Sequence, residues 1–117
     1  MPTIRELVQT LARREGVDAV VVVGPDGLPI DSVSAAGVDS ESLAALLPSV
    51  IRGMGELGAA GARGDFATGV LEYNAGLAVA AVLHEDAMLV ILVRADTNIG
   101  SLLFDLRRHR TAIAGLL

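Results

Sequence analysis

Apolar and polar residues along this chain fall into eight stretches with two different periods. Thr3 and Glu6 have the spacing of a capping box, and Ile4, Leu7, Val8 and Leu11 follow at helical intervals, predicting a first helix to about Glu15 that Gly16 stops. Val17 to Val23 is apolar except for Asp18 and reads as a strand buried on both faces. Gly24-Pro25-Asp26-Gly27 is turn chemistry, so Leu28 to Ser34 returns as the second arm of a hairpin. Pro29 and Asp31 place that arm at a sheet edge.

Asp39 or Ser40 can cap a second helix, whose broad apolar stripe takes in Leu43, Leu46, Leu47, Val50, Ile51, Met54 and Leu57. Pro48 lies about two turns in, and Gly53, Gly55, Gly58, Gly61 and Gly64 follow. The proline predicts a kink or a break. The glycines leave two readings: a helix that tertiary contacts or a close partner must support, or a frayed end running into a loop. Phe66 to Tyr73 alternates like a half-exposed strand, Asn74-Ala75-Gly76 turns the chain, Leu77 to Leu83 is wholly apolar, and His84-Glu85-Asp86 turns it again. Seven apolar residues from Ala87 to Val93 form a strand too short to cross a bilayer. Behind it Asp96, Thr97 and Asn98 offer caps to a last helix with Ile99, Leu102, Leu103, Leu106 and Ile113 inward and Arg107, Arg108 and His109 mostly outward.

Connection lengths order the strands. The first two form a hairpin and the last three a meander. If the first, fourth and fifth strands, apolar throughout but for Asp18, are interior, the order is 2-1-5-4-3. Helices must cover both faces, which gives an α+β fold of three layers, α/β/α, around a five-stranded antiparallel sheet with topology αββαβββα. The third strand carries no proline and little charge, so its edge invites a second copy.

The chain of 117 residues, 52% hydrophobic, is the size of a single domain spanning 1–117. A net charge of -5 with dispersed arginines argues against nucleic acid, and the absence of lysine removes Schiff-base and P-loop chemistry. Without cysteine there is neither a disulfide framework nor a thiolate metal site. No signal peptide or membrane-length run is evident, and a cytoplasmic location is expected. His84 and His109 lack ligand spacing and the serines lack a nucleophile context, so no catalytic residue, metal or cofactor is expected. Arg107, Arg108 and Arg110 suit a solvated helix end.

Four segments then acquire a common meaning: Gly16-Val17-Asp18-Ala19-Val20-Val21, Asp26-Gly27-Leu28-Pro29-Ile30, Tyr73 to Gly76, and Asn98-Ile99-Gly100. In this order and at these separations they resemble the Roadblock/dynein light chain family, in its bacterial, MglB-like branch, over practically the whole chain. The resemblance implies a Roadblock/profilin-like fold and a non-enzymatic platform that forms homodimers and binds a small Ras-like GTPase or a motor component. MglB-type dimers stimulate their GTPase by repositioning its own catalytic groups, without an arginine finger. In similar proteins the second helix packs on its dimer mate and the third strand pairs across the two-fold axis. Carried onto this chain, the expected interface comprises Met54, Gly55, Gly58, Gly61, Ala62, Phe66, Thr68, Val70 and Glu72. Arg52 and Arg63 are candidate partner-binding groups. Pro48 departs from the family pattern, and the sequence ends at Leu117 without the extension that follows the last helix in MglB proteins. The alternative function is a structural adaptor indifferent to nucleotide. A small-molecule sensor would need a polar-lined pocket, which the apolar interior strands do not favour.

Overall fold

In a computed structural model, which describes residues 3–83 and 87–114 and the side chains to residue 108, each expected element is present. Helix α1 (Ile4–Ala12) is followed by β1 (Val17–Val23) and β2 (Pro29–Ser34), then α2 (Ser40–Ala60), β3 (Thr68–Tyr73), β4 (Gly76–Val82), β5 (Met88–Val93) and α3 (Ile99–Ala114). All neighbouring strands are antiparallel and the sheet order is β2-β1-β5-β4-β3. The expected turn His84-Glu85-Asp86 and the side chains of His109, Arg110 and Ile113 lie outside the described residues.

The alternation of strand side chains divides the core into two layers. On one face Val20, Val22, Val79, Ala81, Leu89 and Ile91 pack with Val8 and Leu11 of α1 and Leu102 and Leu106 of α3. On the other, Val21, Val23, Ala80, Met88 and Val90 pack with Ala44 and Leu47 of α2. Interior strands β1, β4 and β5 supply both layers, which is why their sequences carry no polar face. Fully burying one such Val, Leu or Ile contributes roughly 1.5–3 kcal/mol.

Helix α1 begins with the full capping box: Glu6 N–H donates to Thr3 Oγ1 at 3.1 Å, and the Glu6 carboxylate accepts from Thr3 N–H. It stops at Ala12, a turn earlier than expected, because residues 13–16 form a tight turn that ends in Gly16 at φ +89°. A Cβ at Gly16 would run into the Thr97 side chain, and Gly16 C=O accepts from Arg94 N–H at 2.8 Å. The positive φ and the lack of room for a Cβ both call for glycine there. Arg14 ties the end of α1 to α3 through an ion pair with Asp105 and a 2.9 Å bond to Ser101 Oγ.

Helix α2 is unbroken through Pro48 and reaches Ala60, so neither the expected break nor the loop reading holds. The proline removes the N–H that would serve the Ala44 carbonyl, and the β1–β2 turn packs over that spot. A Cβ on Gly27 would sit 3.7 Å from Pro48 Cγ and 3.8 Å from Ala44 O. The far end is closed by Gly61 N–H on Leu57 O at 3.0 Å and Arg63 N–H on Gly58 O at 2.8 Å. Strand β3 begins at Thr68 instead of Phe66, and the Phe66 ring covers Gly69, 3.2 Å from where a Cβ would stand.

Candidate interaction surface

Strand β3 is one of the two edges of the sheet, opposite β2. The register pairs Thr68 with Ala81 and Val70 with Val79, and Val82 N–H donates to Ala67 O at 3.0 Å. In an antiparallel ladder bonded and non-bonded pairs alternate, so Gly69, Leu71 and Tyr73 bond to β4. The backbone groups of Val70 and Glu72 therefore face outward. Both residues are exposed, Val70 to 42%.

Beside that edge α2 carries more apolar surface than its own sheet covers. At 100° per residue, Leu43, Ala44, Leu47, Ile51 and Met54 form the stripe over the sheet, and Leu46, Val50, Gly53 and Leu57 form a second one on the adjoining flank. The sequence pattern merges the two into a single broad inward stripe. The structure corrects this: Leu46 is 63% and Leu57 70% exposed. With Leu71 and Tyr73, itself 61% exposed, Leu46 and Val50 line an apolar groove of about 210 Å³ between α2 and β3. Exposed Leu46, Leu57 and Tyr73 were not among the interface residues expected from the sequence; the 4-3-4 spacing from Leu46 to Leu57 was a signal for the α2 stripe, and nothing comparable marked Tyr73.

The expected residues divide in how the chain uses them. Val70, Glu72 and half-buried Thr68 lie along β3, and Met54 is half-buried on α2. Gly55 has open space where a Cβ would be, but by the helical period it faces away from Leu46 and Leu57; Gly53, equally open, shares their flank. Gly58 is needed within its own chain, since a Cβ there would lie 2.9 Å from Gly64 O. Gly61 caps α2, Ala62 follows it at φ +55°, and Phe66 is half-buried against Gly69. Arg52 and Arg63 are exposed and form no ion pair with a described residue. Arg52 borders a second groove with Pro25, Pro48, Ile51, Val82 and Met88.

A polar cleft of about 350 Å³ sits where the α1–β1 and β5–α3 turns meet, lined by Arg14, Glu15, Arg94, Asp96, Thr97 and Asn98. Its cations are engaged, Arg14 by Asp105 and Arg94 by Asp96 at 3.4 Å and Glu15 at 4.0 Å. Among the described residues no group of three or more His, Asp or Glu could hold a metal ion, and no helix is long and apolar enough to cross a membrane. At the head of α2, the Ser42 hydroxyl and then the Ser42 N–H donate to Asp39, holding its carboxyl below the ordinary value.

Comparison with known proteins agrees with this architecture. The family model for the Roadblock/LC7 domain matches residues 3–93. Among solved structures the chain is similar to Myxococcus xanthus MglB, with TM-score 0.87 at 18% identity over 97% of this chain and 93% of that one. It is similar also to a Roadblock/LC7 domain from Streptomyces avermitilis, with TM-score 0.84 at 18% identity over 96% and 95%. The gliding protein MglB of Thermus thermophilus superposes with TM-score 0.81 at 16% identity over 95% and 85%. No curated protein sequence matches.

Proposed function

The chain belongs to the Roadblock/LC7 domain family, and from that premise we propose that it is a cytoplasmic, non-enzymatic homodimeric platform that binds and regulates a small Ras-like GTPase. The observation that carries the reading is the second apolar stripe of α2 lying beside an open β3 edge. A single chain leaves both unsatisfied, and a second copy related by a two-fold axis satisfies both at once. The two β3 edges join the sheets through the outward groups of Val70 and Glu72, and the two α2 flanks cross near Gly53 with Leu46, Val50 and Leu57 between them. Thr68 and Met54 fall within this contact. Gly58, Gly61, Ala62 and Phe66 shape the loop that leads into it.

Fold likeness to the MglB structures supports the GTPase part of the proposal. Regulation of that type works on the GTPase's own catalytic groups, so this chain needs no nucleophile, metal or cofactor of its own. Exposed Arg52 and Arg63 are available to acidic groups on the partner. The test is GTP hydrolysis by a purified Ras-like GTPase from the same cells, with and without this protein. A faster turnover that saturates with added chain is expected; hydrolysis unchanged at saturating binding would reduce the protein to a structural adaptor.

A further inference from the structure

A sheet that pairs through one edge needs its other edge closed, or pairs of chains would go on adding end to end. Here the other edge is β2. The β1–β2 register, with Ala35 N–H donating to Asp18 O at 2.8 Å, puts Val33 and Asp31 in bonded pairs with Val20 and Val22. The backbone groups of Ser32 and Ser34 therefore point away from the sheet. Leu28, Ile30 and Val33 stand 64%, 48% and 39% exposed around them, apolar enough to pack on an added strand.

One outward donor is already taken. Ser32 N–H donates to the neighbouring Asp31 carboxylate, Oδ1, at 2.9 Å, while Asp31 Oδ2 lies 3.8 Å from Nε of Arg5 on α1. The carboxylate thus fills the place where an incoming carbonyl would dock and sets negative charge against that carbonyl's oxygen. Among the described residues, no side chain caps the Val70 or Glu72 backbone on β3 in this way. We propose that β2 is a latent self-association edge whose partner is β2 of a second copy, and that Asp31 keeps it shut so that assembly stops at the pair. The stopping point rests on the β3 pairing proposed above, whereas the sealing of β2 is a property of the single chain.

The experiment is solution mass against concentration, by light scattering or sedimentation, for the wild type and its variants, with thermal melting to verify the fold. Asp31→Ala is expected to grow with concentration beyond the wild-type mass. Asp31→Asn keeps an acceptor oxygen and should stay at the wild-type mass. Asp31→Ala with Ser32→Pro deletes the outward donor itself and should return to that mass. Asp31→Val, a better strand former, repeats the alanine test should alanine weaken the fold. A folded Asp31→Ala or Asp31→Val protein with the wild-type mass at every concentration overturns the proposal, as does growth that persists without the Ser32 donor. A monomeric wild type would refute the β3 pairing alone; growth of Asp31→Ala from that monomer would still support the sealing of β2.

Discussion

Leu57→Ala separates the stability of the chain from that of the pair. Leu57 is 70% exposed, so truncating it removes few contacts within its own chain, and alanine is as good a helix former. Folding stability of the isolated chain should change by less than about 0.5 kcal/mol. In the proposed dimer the same side chain is covered. Full burial of leucine is worth about 1.5–3 kcal/mol, and the exposed share amounts to about 1–2 kcal/mol per chain. Two-fold symmetry doubles this to about 2–4 kcal/mol, a weakening of the dimer by a factor of roughly 30 to 1,000. Sedimentation equilibrium over a dilution series reads the dimer constant, and urea unfolding at a concentration where both proteins are monomeric reads the fold. An unchanged dimer constant refutes the α2 contact; a folding loss of several kcal/mol would show that Leu57 belongs to its own core.

Three further outcomes are expected. Because the chain has no cysteine, Val70→Cys introduces a single thiol on the outer edge of β3; mild oxidation should give a covalent pair, while Ser34→Cys on β2 should not, and equal cross-linking of both would count against β3 pairing. Gly16→Ala meets both the positive φ and the Thr97 side chain, and should cost about 2–5 kcal/mol by chemical denaturation. Gly37→Ala, at φ +87° with nothing within 4 Å, is the control and should cost less. Asp39 is held ionised by Ser42, so its folded pKa lies below the unfolded value of about 3.9. Its stabilisation is present above that value and lost as pH falls through the folded pKa, so the difference in melting temperature between wild type and Asp39→Ala should be clear at neutral pH and shrink as the carboxyl is protonated in acid.

The strand order was legible because three runs, apolar but for Asp18, leave only one arrangement compatible with short connections. Boundaries were less so. Phe66 looks like strand by composition, yet its ring is occupied in covering Gly69 before β3 begins. Pro48 argued for a break by local sterics, yet α2 runs through it beside a turn from much earlier in the chain, at Gly27, a neighbour that no local pattern reveals. For the proposed interface, the sequence pointed to β3 and α2, and both carry exposed apolar side chains in the structure. It could not divide the apolar arc of α2 between the chain's own core and a partner, because both demands produce the same residue types. Only the exposures of Leu46 and Leu57 separate them. The sealing of Ser32 by Asp31 was equally hidden, since an aspartate in an edge strand reads simply as charge.

The most direct test of the proposed function is capture of partners from lysate of the source cells by tagged protein, in parallel with a non-hydrolysable GTP analogue and with GDP. Recovery of a Ras-like GTPase with the analogue and its loss with GDP is the expected result. Recovery of the same partners in both nucleotide states, or of no GTPase in either, would contradict the regulatory role.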